Sequence, residues 1–194
     1  MSIFELYLRL GISHIADFKS YDHILFIITL CSVYPLKEWK RILILITAFT
    51  IGHSLTLLLA TLGMLSIPSS LVEFLIPLTI FITAVGNIAG KKEQVGIGLH
   101  LVKYGSALFF GLIHGLGFSN YLHGLLGAES SILLPLFSFN VGIEIGQIII
   151  VSVLVLLSWI FTGLLKVNRR EWNLVLAGAG LGISLILMSD RFPW

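Results

Sequence analysis

What most constrains this chain is a series of hydrophobic runs that are too long and too apolar for the core of a small water-soluble protein. Bounded by charged or turn residues, they fall at residues 21–34, 39–65, 71–89, 99–119, 132–165 and 172–188. A helix crossing a hydrocarbon layer of about 30 Å needs about 20 apolar residues. Inside lipid every backbone N–H and C=O must be paired within the chain, so runs of this length are expected to be helices and not barrel strands. The expected fold is all-α, a polytopic membrane bundle of about six transmembrane helices forming a single transmembrane domain over residues 1–194. Composition points the same way: 57% of residues are hydrophobic and 11% charged, against about 25% charged in soluble domains.

Two runs have unusual lengths. The first is short for a span, and the fifth is long enough to tilt, protrude or break. Ahead of the first, residues 3–18 alternate apolar side chains with Glu5, Arg9, His14 and Asp17. Burying Arg9 at mid-bilayer would cost about 2.5–3.5 kcal/mol, so this segment is expected to be an interfacial or partly inserted helix. The opening sequence MSIFELYLRLGI has neither a basic leader nor a small-residue cleavage site, so no secretory signal peptide is expected.

Nine of the twelve Lys and Arg residues sit in alternate loops: Lys37, Lys40 and Arg41, then Lys91, Lys92 and Lys103, then Lys166, Arg169 and Arg170. The positive-inside rule makes these loops cytoplasmic and both termini extracytoplasmic, in a bacterial inner (plasma) membrane. The net charge of +2 is small and scattered, which excludes a nucleic-acid partner. The expected partners are the lipid bilayer and a metal ion, with a homo-oligomer left open. Cys31 is the only cysteine, so it supports neither an intrachain disulfide nor a CxxC site and is expected to be an apolar packing residue. Gly111/Gly115, Gly142/Gly146 and Gly178/Gly182 are spaced for close helix approach, although 19 glycines generate such spacings by chance. No convincing internal repeat or low-complexity tract stands out.

Ionisable groups inside membrane helices are expensive and by default mark function. Here they are Asp22 and His23, His53, Glu73, His114 and Glu144, on five of the runs. Asn140 and Gln147 lie four before and three after Glu144, so the three share a helix face, as do Thr50, His53 and Thr56. Imidazole and carboxylate donors suit nickel, cobalt, zinc or iron, and two or three histidines with carboxylates make a four- to six-coordinate site. The blander alternative for any one histidine is a neutral imidazole bonded to a neighbouring helix. Glu73 lies near a helix start and could instead act as a cap. His100 and His123 are expected to be solvated near loops. No GxSxG, phosphate loop or HExxH motif is present.

The stretches Tyr21-Asp22-His23-Ile24-Leu25-Phe26, Phe49-Thr50-Ile51-Gly52-His53-Ser54-Leu55-Thr56-Leu57, Phe110-Gly111-Leu112-Ile113-His114-Gly115-Leu116-Gly117-Phe118 and Phe139-Asn140-Val141-Gly142-Ile143-Glu144-Ile145-Gly146-Gln147 together resemble the HupE/UreJ family of small membrane proteins. Members are usually described as nickel or cobalt permeases accompanying hydrogenase and urease systems. The resemblance implies that Asp22, His23, His53, His114 and Glu144 handle metal, with Asn140 and Gln147 in support; Thr50 and Glu73 are expected as further supporting residues from their placement in the runs. One departure concerns His14: the family pattern has a histidine six positions before the Asp-His aspartate, whereas His14 stands eight before Asp22. That spacing leaves His14 outside the implied ligand set.

The expected function is therefore a permease or channel for a divalent transition metal, nickel or cobalt as substrate, with zinc also compatible. The alternative is an intramembrane metalloenzyme of the zinc hydrolase or protease type that uses the same ligands to activate water. A metal sensor or accessory binder is a third reading.

Overall fold

The computed structural model describes residues 1–18, 21–90, 97–126 and 131–193, with the side chains of residues 97–99, 120, 123 and 126 outside the description. It is an all-α membrane helix bundle with no strand among the described residues. The helices are α1 (Ile3–Ile15), α2 (Asp22–Cys31), α3 (Trp39–Thr61), α4 (Ser69–Ala89), α5 (Ile97–Leu126), α6 (Leu133–Ser158) and α7 (Arg169–Asp190). Five stretches, built on α3 to α7, are long and apolar enough to cross a membrane. Their outer faces present Ile44, Ile51, Leu55, Val102, Val153, Leu156, Val175 and Ile186, an apolar exterior that only lipid solvates without cost.

The short first run and its polar forerunner resolve into one broken element. Gly11 packs on Phe139, Gly142 on Leu8 and Ile12, and Gly146 on Ile12 and Ile15, so α1 and α6 run parallel. On the other side, Ser32 bonds Asn173, Thr29 packs on Gly180 and Asp22 pairs with Arg191, so α2 runs antiparallel to α7. Both α1 and α2 therefore head the same way along the bundle, α1 ending at Ile15 and α2 beginning at Asp22. Their 13 and 10 residues together give about 35 Å of helix, about the length of one span. Of the dispositions expected for residues 3–18, the structure shows a helix packed lengthwise on α6, with Tyr7, Gly11 and Ile15 buried. Its start is local in origin: Ser2 accepts from the Glu5 amide at 3.2 Å, an N-cap with the acid three residues on.

The long fifth run does not break but changes pitch, with α6 continuing into a π-helical turn at Trp159–Leu164. There the Phe161 ring stacks on Trp172 at 4.4 Å and Trp172 donates to Ser158 at 2.9 Å. Helix α3 ends at Gly63, whose φ of 69° sits in the left-handed region. The amide of Met64 reaches back to the Leu59 carbonyl at 3.0 Å, as a helix-ending reverse turn requires.

The close-packed glycines are only partly those expected from spacing. Gly111 and Gly115 meet α3, and Gly142 and Gly146 meet α1, whereas Gly178 and Gly182 have nothing near their Cβ positions. The partners Gly52 and Gly11 provide the other halves of these contacts: a side chain at either would overlap a carbonyl oxygen, of Leu108 and Phe139 respectively. The two resulting helix pairs, α3 with α5 and α1 with α6, form the frame of the bundle.

We call the end carrying Lys37, Lys40, Arg41, Arg169 and Arg170 the basic end. There Asn87 donates to the Thr29 carbonyl at 2.6 Å, Ser32 donates to Asn173 at 2.8 Å and Lys103 donates to Asn87 at 3.3 Å. Arg170 donates to the last carbonyls of α4, those of Asn87 and Ile88, and Asn173 also donates to the first of them at 3.4 Å. His100 belongs to this region and is not solvated as expected. It is 5% exposed, stacks on Tyr34 and Tyr104, and lies 3.4 Å from the Tyr34 hydroxyl, because helix α5 begins before it and places it on the inner face. Cys31 is free and buried, as a packing residue would be.

Candidate metal centre

Four helices bring histidines to one layer. His14 comes from the last turn of α1, His23 from the first turn of α2, His53 from the middle of α3 and His114 from the middle of α5. Ring centroids of His14 and His23 are 4.7 Å apart, His23 and His114 5.0 Å, His14 and His53 5.7 Å, and His23 and His53 6.1 Å. One ligand nitrogen from each of His14, His23 and His53 lies within 4.8 Å of the other two. Metal–nitrogen bonds of about 2.0–2.1 Å hold ligand nitrogens about 3.3 Å apart in a tetrahedral site.

The polar accounting supports a ligand in this layer. Nε2 of His14, both ring nitrogens of His23 and of His53, and Nδ1 of His114 are buried without a hydrogen-bond partner among the described residues. Each unsatisfied buried polar atom costs about 1–3 kcal/mol, and here six converge on one place. A metal ion satisfies several at once, and borderline nitrogen donors suit nickel, cobalt or zinc. Surrounding them are Phe26, Phe49, Phe118 and Phe139, with His14 4.0 Å from the Phe118 ring and His114 4.9 Å from Phe26. Phe26 and Phe49 form an apolar wall on the side of the histidines away from the cleft described below.

His14 is the member that spacing arguments set aside. Its distance in sequence from Asp22 does not decide its position, because His14 and Asp22 belong to two separate helices with no shared register. The packing of α1 along α6 decides where His14 sits. No sequence signal beyond the presence of a histidine in an amphipathic segment pointed to it.

Carboxylates are placed differently. Asp22 accepts from the His23 backbone amide at 3.1 Å through one oxygen and from Arg191 at 3.0 Å through the other. It lies 3.4 Å from His23 Nδ1, beside the imidazole layer and already partnered. Glu144 accepts from Thr47 at 2.6 Å and Thr50 at 2.5 Å, one turn nearer the basic end than His53. Gln147 is fully buried, with its side-chain oxygen 3.0 Å from Thr50 and its amide nitrogen unpartnered. Thr50 has one proton for three acceptors, since the Ile46 carbonyl is also 3.2 Å away. Exchanging the Gln147 oxygen and nitrogen removes the conflict, giving a chain in which Gln147 donates to Thr50 and Thr50 to Glu144. Asn140 is half-buried with its oxygen unpartnered. Glu73 is exposed, and α4 has no side-chain N-cap, so it caps nothing.

A cleft of about 860 Å³ connects the histidines to the end opposite the basic one. Ser13, His14, Asp22, His23, Glu73 and Arg191 are among its lining residues. Glu73, on the first turns of α4, lines the same cleft as His14 and His23. His123 was expected to be solvated; its side chain lies outside the described residues.

No curated protein and no solved structure matches the chain. The family model described as HupE / UreJ protein matches residues 1–189 of the 194. The histidines assembled by α1, α2, α3 and α5 thus all fall inside the matched region, and the chain belongs to the HupE/UreJ family.

Proposed function

We propose that this protein is a permease for a divalent transition metal, nickel or cobalt, which it binds between His14, His23 and His53 with His114 alongside. The observation that carries the reading is a layer of four imidazoles, each with at least one buried ring nitrogen unpartnered among the described residues; two of them, His14 and His23, line a cleft open to one end. The family is described by its association with nickel- or cobalt-handling systems, which favours these metals over zinc. The orientation from the positive-inside rule makes the cleft end extracytoplasmic, so that ions enter from outside.

The alternative, a metal-activated hydrolase, needs a general base beside the metal-bound water. Asp22, beside the imidazole layer, and Glu144, one turn from it, are held by Arg191 and by two threonines. Neither is poised to take a proton from a water among the imidazoles, so transport is the better fit.

The test is X-ray absorption spectroscopy of nickel-loaded protein. Three or four imidazole nitrogens in the first coordination sphere are expected, falling by one in His14→Ala. A shell of oxygen donors without imidazole contradicts the assignment.

A further inference from the structure

The two glycine-packed helix pairs are built alike residue by residue. A Cβ on Gly11 would overlap the Phe139 carbonyl oxygen and stand 3.0 Å from the Ile143 nitrogen; a Cβ on Gly111 would overlap the Phe49 carbonyl oxygen and stand 3.1 Å from the His53 nitrogen. In the opposite sense, Gly142 meets the Leu8 carbonyl and lies 3.0 Å from the Ile12 nitrogen, and Gly52 meets the Leu108 carbonyl and lies 3.0 Å from the Leu112 nitrogen. One correspondence covers all of this: 8, 11 and 12 in α1 match 108, 111 and 112 in α5, while 49, 52 and 53 in α3 match 139, 142 and 143 in α6.

Ring contacts that played no part in defining the correspondence obey it. His14 lies 5.7 Å from Phe139, and its counterpart His114 lies 5.2 Å from Phe49. The sequence carries a trace: Gly-x-x-His-x-x-x-Phe occurs at 11–18 and 111–118, and Phe-x-x-Gly at 49–52 and 139–142.

Helix α3 is antiparallel to α6, since His53 meets Phe139 while Thr50 meets Glu144 and Gln147. The pair α1/α6 therefore points opposite to the pair α5/α3, and the operator relating them is a two-fold axis perpendicular to the helices. Helices α4 and α7 complete the halves in chain order. They pack antiparallel on each other, as the exchange requires, with Asn87 against Arg170 and Phe74 against Phe192. Helix α2 has no counterpart among the described residues, and its His23 sits between the related pair, 4.7 Å from His14 and 5.0 Å from His114.

We infer that the chain consists of two inverted repeats, α1-α3-α4 and α5-α6-α7, which exchange conformations so that the histidine layer opens alternately to the two ends of the bundle. The motion rests on the permease reading, whereas the repeat does not. Transporters built this way place their substrate at the repeat interface beside a discontinuous helix, which is where α1 and α2 break. In the arrangement observed, Phe26 packs on Phe49 at 5.1 Å and on Phe110 at 6.0 Å, closing the route from the histidines toward the basic end. Exchange carries Leu10, Ser13 and His14, which line the open cleft, onto Phe110, Ile113 and His114. Phe110 and Ile113 are thus assigned to a second mouth, facing the basic end.

Single cysteines introduced into a Cys31→Ser background test this in oriented membrane vesicles with a membrane-impermeant methanethiosulfonate reagent. Ser13→Cys should label from the cleft side and Ile113→Cys from the opposite side, with added nickel shifting the two rates in opposite directions. Leu10→Cys and Phe110→Cys form a second matched pair should either of the first fail to fold. Labelling of Ile113→Cys and Phe110→Cys from the cleft side, or from neither side with and without nickel, overturns the exchange. Failure of both cleft-lining cysteines to react overturns it as well. Reciprocal labelling without nickel flux leaves the repeat standing and removes the permease.

Discussion

His114 donates its Nε2 proton to the Thr79 hydroxyl at 3.0 Å, because that hydroxyl spends its own proton on the Ile76 carbonyl at 2.7 Å. The direction of this bond fixes the tautomer of His114 and leaves its Nδ1, buried and unpartnered, as a bare lone pair. A residue of α4 thereby sets the donor state of a residue of α5.

Thr79→Val removes the acceptor while keeping the shape. Loss of such an orienting partner costs about 10–100-fold in metal affinity. Isothermal titration of detergent-solubilised Thr79→Val with nickel should show weakened binding at unchanged stoichiometry. Unchanged affinity would mean that His114 takes no part in the site.

The glycines make a structural prediction that separates two sets. A methyl group at Gly52 or Gly111 would collide with backbone, and overpacking of this kind costs about 1–3 kcal/mol. Gly178 and Gly182 have open space. In thermal unfolding, Gly52→Ala and Gly111→Ala should lower the midpoint, while Gly178→Ala and Gly182→Ala leave it unchanged or raised. Equal effects across the four would contradict the packing.

How much of this was legible in the sequence differs by level. The long runs of α3 to α7 were plain, because lipid demands length and apolarity that nothing else imitates. The α1–α2 element was read as a short span after an interfacial helix, since a break in a helix leaves the same trace as a loop between two. His14 was passed over because spacing rules hold only within regular structure. The repeat does not stand out in the sequence because only a few glycine, phenylalanine and histidine positions survive in it, and the inserted α2 disrupts the register between halves. That Glu144 faces Thr47 and Thr50 rather than the imidazoles could not be read from helix periodicity, which gives a face but not the neighbour it meets.

Asp22 and Arg191 join the start of α2 to the end of α7. Arg191→Ala should leave the carboxylate free to turn toward His23 and bind metal directly. X-ray absorption of the nickel-loaded variant is expected to show an added oxygen donor; an unaltered coordination sphere would place Asp22 out of reach.

The bundle also places both termini at the cleft end. Reporter fusions after Trp194 and within residues 91–93 should therefore report opposite sides of the membrane, with the C-terminal one extracytoplasmic. A cytoplasmic C-terminal reporter would reverse the direction of entry.

Transport through the histidine layer is tested most directly by nickel uptake into proteoliposomes containing wild-type protein or His53→Ala. His53 is fully buried, with both ring nitrogens unpartnered, and lipid offers no replacement ligand. Wild-type vesicles should accumulate nickel down an imposed gradient, and His53→Ala vesicles should lose both uptake and nickel binding while the variant remains folded. Stoichiometric binding by wild-type protein with no flux under any gradient, or undiminished uptake by His53→Ala, would contradict the account.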